Sequence, residues 1–197
     1  MIGNDIVDIN FTRKQSNWQR DGFLDKIFTS EEQEHILESK CSFTSVWQLW
    51  SMKESVYKIY VRKYKERFFA PKKLVCTLTD SSNGSVIIND EKYFSKTITN
   101  KKYIYSTAIS GVSNLSSVDT FCFPLKEGGF STQRATVYSQ LKNRIAEKYN
   151  LNSKIIQIEK TALGIPEVKV NNQTLGVNIS LTHHGNYGAV SILNLNL

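Results

Sequence analysis

Residues 43–67, FTSVWQLWSMKESVYKIYVRKYKER, read as one long helix. On a wheel of about 100° per residue, Val46, Trp50, Tyr57, Val61 and Tyr64 form one apolar arc, with Trp47 at its margin. Glu54 falls inside that arc. An ionised carboxylate on a buried face is costly unless it is paired or bound to a metal. Lys58, four residues on, is one available partner, yet such a helix pair contributes only ~0.2–0.5 kcal/mol. Glu54 is therefore either half of an ion pair at the solvent margin or a buried carboxylate with a second reason for being there.

Upstream, FTSEEQEHILESK (residues 28–40) has the spacing of a capping box, with Thr29 followed three residues later by Glu32. Downstream of Ala70 the pattern turns β-like in KLVCTLT, GSVIIND and KKYIYSTAIS, with a turn signal at Ser82-Asn83-Gly84. The same rhythm then recurs. VDTFCFPL reads as a strand and Gln133–Tyr149 as a helix, with Val137, Leu141 and Ile145 at four-residue steps. IIQIEKTA, PEVKVN, VNISLTH and NYGAVSIL follow as strands. The expected fold is α+β in two similar halves, residues 1–112 and 113–197, each a long helix packed on a small antiparallel sheet and related by a pseudo-twofold axis. GVSNLSS (residues 111–117) has the composition of a boundary.

With 197 residues, the chain can bury an adequate core as one domain or as two small ones. Its hydrophobic fraction of 40% and charged fraction of 22% are those of a globular protein. No apolar stretch approaches the ~20 residues of a membrane-spanning helix. MIGNDIVDIN lacks the basic start and apolar run of a secretory signal, so the cytoplasm is the expected compartment. Cys41, Cys76 and Cys122 are odd in number and form no CxxC pair, which suggests buried thiols and neither a disulfide framework nor a zinc site. The net charge of +7 favours an anionic partner: nucleic acid, a phosphorylated small molecule or an acidic protein.

In the N-terminal strand IGNDIVDI, Asp5 and Asp8 interrupt an otherwise apolar run. They are edge or turn residues, or they face a ligand. A strand aspartate brought against a helix glutamate would form an all-oxygen site of the kind that suits magnesium, an ion that keeps waters and accepts substrate phosphates. A metal-dependent nuclease would also be basic, but one common type wants a Glu-x-Lys arrangement on a strand. A nucleic-acid-binding protein would explain the charge and gives no reason for Glu54 on an apolar arc.

Gly3-Asn4-Asp5-Ile6-Val7-Asp8-Ile9 and Trp50-Ser51-Met52-Lys53-Glu54-Ser55-Val56-Tyr57-Lys58 together resemble the two signatures of the 4′-phosphopantetheinyl transferase superfamily. Gly164-Ile165-Pro166 and Thr182-His183-His184-Gly185 resemble its Gly-Lys-Pro and Ser-His-Ser-Gly elements, with isoleucine in place of the lysine and with Thr182 and His184 where serine is common. The resemblance implies a magnesium ion on Asp5 and Glu54, with Asp8 at most a water-mediated ligand. It implies a catalytic role for Glu54 and Lys58, and a coenzyme A grip by Lys58, Gly164, Pro166, Thr182 and His183. His184 is expected to point away, since successive strand residues face opposite sides. The partners implied are coenzyme A and an acidic acyl or peptidyl carrier protein, with no nucleic acid and no membrane. Motif order resembles the short trimeric members and length the pseudo-dimeric ones, so the chain is expected as a monomer acting as a pseudo-dimer, or as a small homo-oligomer. The alternative is a carrier-binding or nucleic-acid-binding protein without transferase activity.

Overall fold

A computed structural model describes residues 1–111 and 115–193, so the expected boundary between residues 112 and 113 lies outside the described residues. Strand β1 (Ile2–Asp8) leads into helices α1 (Ile9–Gln15), α2 (Phe23–Ile27), α3 (Ser30–Glu38) and the long α4 (Ser42–Tyr64). A meander follows: β2 (Val75–Leu78), β3 (Asn83–Ile88), β4 (Glu91–Thr99) and β5 (Tyr103–Ser110). These strands form one antiparallel sheet in the order β1-β5-β4-β3-β2. The chain continues through β6 (Val118–Pro124), α5 (Phe130–Tyr149), β7 (Ile156–Lys160), β8 (Pro166–Val170), β9 (Gln173–Leu175), β10 (Asn178–His184) and β11 (Tyr187–Leu193). The fold is α+β with antiparallel sheets, and in each part the first strand pairs with the last. The second part departs from the first in dividing its strands between two three-stranded sheets, β10-β11-β6 and β7-β8-β9.

Local chemistry sets the elements. The Thr29 hydroxyl accepts the Glu32 N–H while the Glu32 carboxylate accepts the Thr29 N–H, so the capping box starts α3 as the spacing predicts. Helix α4 ends at Lys65, which takes the left-handed conformation. In α5, Val137, Leu141 and Ile145 are fully buried against the second part's sheets. The buried face of α4 is displaced from the predicted arc. Its centre runs through Leu49, Met52, Val56 and Ile59, whereas Trp50 and Tyr57 are half-buried and Tyr64 is exposed. The reason is that α4 is covered by β1 and β5 on one side and by α3 on another, leaving Trp50, Glu54 and Tyr57 along its rim. Cys41 is exposed, which corrects the expectation of three buried thiols; Cys76 is buried and Cys122 half-buried.

Strand β1 is an edge strand of its sheet that works in two directions. Ile2 and Ile6 pack with residues of the second part, Leu193 and Ala189, while Val7 belongs to the core around α4. Gly3 faces α4: a Cβ there would lie 1.9 Å from the Ser55 carbonyl oxygen. Only glycine lets the helix backbone approach the strand this closely. Ser51 and Lys58 then bond the β1 carbonyls of Asp5 (3.2 Å) and Asn4 (2.6 Å). Overpacking of this sort costs about 1–3 kcal/mol or more. Gly3→Ala is accordingly expected to lower the free energy of unfolding by at least that amount, read as a lower urea midpoint, and to shift the α4 resonances in NMR spectra. An unchanged midpoint would contradict the close approach.

Candidate active site

On β1, residues three apart point to opposite faces. Asp5 therefore turns towards α4 and Asp8 towards the second part. On the α4 side, the Lys58 ammonium lies 3.4 Å from Asp5 Oδ1. From the second part, the Thr182 hydroxyl donates to the same oxygen at 3.2 Å. Glu54 sits one helical turn before Lys58 but pairs with neither it nor any other group among the described residues. The Glu54–Lys58 ion pair is not formed, because Lys58 is drawn to β1 instead.

Asp5, Glu54, His183 and His184 line one cavity of about 210 Å³. Burial raises the Asp5 carboxyl above its ordinary range, with Lys58 and Thr182 opposing. Burial, then the charge of Asp5, pushes Glu54 up to about 7, with Lys58 opposing. Two desolvated carboxylates, of which Asp5 raises the proton affinity of Glu54, also attract a cation. Thr12 Oγ1 and Trp47 Nε1, on residues lining the same cavity, are buried without hydrogen-bond partners. The two carboxylates and the Thr12 hydroxyl, all oxygen donors, fit a small divalent cation, whereas the Trp47 indole N–H only donates and is no ligand for one. Among the described residues no cluster of three or more His, Cys, Asp or Glu side chains suited to hold a metal occurs. Two carboxylates suffice for magnesium, which retains waters and takes phosphate oxygens.

Asp8 is spent otherwise. Its Oδ1 caps α1 by accepting the Phe11 N–H at 3.0 Å, and its Oδ2 accepts the Asn186 N–H at 2.8 Å. A water-mediated place at the Asp5–Glu54 pair therefore finds no support in its geometry.

Beside Lys58 a second cavity of about 310 Å³ opens between α4 and the β7–β8 turn. Gly164, Ile165 and Pro166 line it. Gly164 takes φ +76, and the turn is closed by the Gly164 N–H donating to the Thr161 carbonyl at 2.8 Å. Ile165 is buried at 7% exposure and brings no charge, but Arg62, Arg67 and Lys160 surround the same space with Lys58. Arg67 and Arg62 are held by the carbonyls of Leu163 (2.6 Å) and Ile179 (2.7 Å). Sequence reasoning did not single out these three cations for this cavity. Arg62 and Arg67 belong to a basic run at the end of α4 that reads as a solvated helix end, and Lys160 lies far along the chain with nothing in sequence to join it to them.

Most of the residues singled out from sequence thus line two cavities linked by the Lys58–Asp5 contact, with differing duties. Thr182, expected in the coenzyme grip, is buried and commits its hydroxyl to Asp5. His183 lies half-buried against the Phe130 ring, at 5.0 Å between centroids. Burial holds its pKa below the ordinary value, with Lys160 and Lys58 acting in the same direction. His184, expected to point away, also lines the carboxylate cavity.

The raised Glu54 pKa fixes a pH dependence. Between 4.5, its ordinary value, and about 7 the folded state keeps a proton that the unfolded chain has released, so the metal-free protein loses stability as pH rises through this window. Glu54→Gln removes the ionisation. In EDTA the variant should melt above the wild type at pH 8, by at least about 1 kcal/mol or ~2–4 °C, and the gap should close near pH 4.5. A variant less stable than wild type at pH 8 would contradict the desolvated carboxylate.

Residues 1–110 match the model of the family described as the 4'-phosphopantetheinyl transferase superfamily. This is 110 of 197 residues, more than half of the chain. Among solved structures, the crystal structure of Thermotoga maritima holo-[acyl-carrier-protein] synthase is similar at 11% identity and a TM-score of 0.44, covering 86% of this chain and 82% of that one. No curated protein matches the sequence.

Proposed function

We propose that this chain, which belongs to the 4′-phosphopantetheinyl transferase superfamily, transfers the 4′-phosphopantetheine arm of coenzyme A to a serine of an apo acyl or peptidyl carrier protein. The observation that carries this reading is the meeting of Asp5, Glu54 and Lys58 where the carboxylate cavity adjoins the cationic one. An anion of the size and charge of a pyrophosphate fits the second space, and a divalent cation the first.

In this reading Asp5 and Glu54 hold magnesium, which when bound supplies positive charge to the pyrophosphate oxygens. Thr182 and Lys58 keep Asp5 in place. Lys58 also neutralises a phosphate oxygen, and His183 contacts phosphate from the second half. Arg62, Arg67 and Lys160 take over the grip that a lysine at position 165 would have given. The Glu54 carboxylate accepts the proton of the acceptor serine. The serine oxygen bonds to the phosphorus bearing pantetheine, and the bond from that phosphorus to the bridging oxygen breaks, releasing adenosine 3′,5′-bisphosphate. Catalysis in such a transfer rests on positioning and charge stabilisation. The two halves, joined near residues 112–113, act as the members of a pseudo-dimer, one bringing the carboxylates and the other closing the coenzyme site. The chain then works in the cytoplasm as a monomer acting as a pseudo-dimer, or as a small homo-oligomer.

Incubation with coenzyme A, Mg²⁺ and an apo carrier protein tests the reading by mass spectrometry. The carrier serine should gain one phosphopantetheine group, and Glu54→Ala should lower kcat/KM by about 10²–10⁴-fold, the range of a positioned general base. Lys160→Ala should raise KM for coenzyme A about tenfold with kcat little changed, the signature of lost ground-state binding. Carrier or nucleic acid bound without any mass gain, across a broad panel of carriers, would establish a binding protein instead.

A further inference from the structure

His184, Gly185 and Asn186 form the tip of the β10–β11 hairpin, and all three close on Asp8. The Asp8 N–H donates to His184 Nδ1 at 3.0 Å, and the Asn186 N–H donates to Asp8 Oδ2 at 2.8 Å. Gly185 takes φ +55, and a Cβ there would lie 2.5 Å from Asp8 Oδ2, so a side chain is disfavoured on two counts. A ring nitrogen that accepts an N–H carries no proton, so the imidazole is neutral with its hydrogen on Nε2. Phe11 holds the ring edge-on, with centroids 5.2 Å apart.

The same strand is tied at its other end. The Asn4 N–H donates to Ser180 Oγ at 3.0 Å, and Ser180 returns its hydroxyl to Asn4 Oδ1 at 2.8 Å. Asp5 lies between these ties, gripped in turn by Thr182. Ser180, Thr182 and His184 alternate along β10, so one face of that strand supplies these three side-chain ties. The free edge of β1 is thus fastened by side chains rather than by a backbone ladder.

We propose that His184 is a positioning residue for the Asp5–Glu54 pair: as a neutral acceptor for the Asp8 N–H it fixes the end of β1, and through it the place of Asp5 opposite Glu54. Asp8 serves the same purpose as the residue that is clamped. Metal ligation tolerates deviations of only about 0.2 Å, so a strand loosened at one end binds a cation less well. The proposal rests on the reading of Asp5 and Glu54 as the metal-binding pair.

Mn²⁺ is the probe, titrated into the metal-free protein and followed by the EPR signal of the free ion. Asparagine at position 184 can set its Oδ1 near the place of the imidazole Nδ1 and accept the same N–H; phenylalanine keeps a ring against Phe11 and accepts nothing. His184→Phe should weaken Mn²⁺ binding about 10–100-fold, as loss of an outer contact does, and His184→Asn should stay within about threefold of wild type. Equal affinities in all three proteins, or equal losses in both variants, would overturn the proposal. Should His184→Phe fail to fold, ¹⁵N NMR of the wild-type imidazole decides: a proton on Nε2 with a bare Nδ1 supports the clamp, and a proton on Nδ1 refutes it. Wild type without affinity for Mn²⁺, or affinity unchanged in Asp5→Asn, would instead sink the metal reading and this proposal with it.

Discussion

Everything at the cleft depends on β1 being an edge strand whose two faces and free edge are all in use. One face meets α4 at the distance that Gly3 permits. The other meets the second part through Ile2 and Ile6, with Asn4 between them bonded to Tyr105 and Ser191. An edge strand ordinarily exposes unpaired backbone groups that invite other chains. Here the outward N–H groups of Asn4 and Asp8 are consumed by Ser180 and His184, so the strand is closed off and its aspartate held still by the same contacts. Rigidity at Asp5 and joining of the two parts are one physical fact. A site that must hold ligands to a few tenths of an ångström is best built on such an element.

Two neighbouring residues of α4 show how differently the fold treats buried charge. Lys53 is fully enclosed, yet its ammonium bonds both oxygens of Glu32, at 2.9 and 2.8 Å, and the carbonyls of Pro71 and Leu74. Glu32 also accepts the Cys76 N–H at 2.7 Å. Such a satisfied network ties α3, α4 and the start of β2 together, and removing one partner of a buried pair would leave an uncompensated charge. Glu54, about 100° further round the helix, has none of this, and its proton affinity rises accordingly. A charge that is completely satisfied serves the fold. One that is desolvated and unpaired at the rim of a cavity is the better candidate for chemistry.

The elements were legible because they depend on local periodicity. The spacing of Val137, Leu141 and Ile145 alone defined a buried helix face, and Thr29 with Glu32 located a helix start. The α4 wheel placed Glu54 in the buried arc, yet the true centre is Leu49, Met52, Val56 and Ile59, because a helix covered on more than one side does not show a single apolar stripe. Asp5 and Glu54 could be linked only through the motif resemblance; nothing local to either says that they share a cavity. The misplacement of His184 has a specific cause. Alternation correctly separates it from His183, but which face meets β1 depends on a pairing across about 176 residues, and that has no code in the strand itself. The polar run of Ser180, Thr182 and His184 on one side of an otherwise apolar strand was the available sign.

That asymmetry bears on how the two parts divide the work. The first part carries Asp5, Glu54 and Lys58 on a strand and a helix locked by Gly3, where a small change moves all three groups together. The second part carries Ile165, Thr182 and His184, the positions where its motifs depart from the pattern they resemble. Each departure has a local consequence: Ile165 leaves its cavity to be charged by Arg62, Arg67 and Lys160, Thr182 keeps the hydroxyl that reaches Asp5, and His184 acquires the nitrogen that accepts the Asp8 N–H. None of them removes a carboxylate from the cleft. On the proposed reading, variation there alters how the substrate is gripped and how firmly the strand is held, while the groups that meet the reacting atoms stay the same. On that reading residues of the second part can vary without removing a carboxylate from the cleft, because β1 is fastened to it through side chains that can be exchanged one at a time.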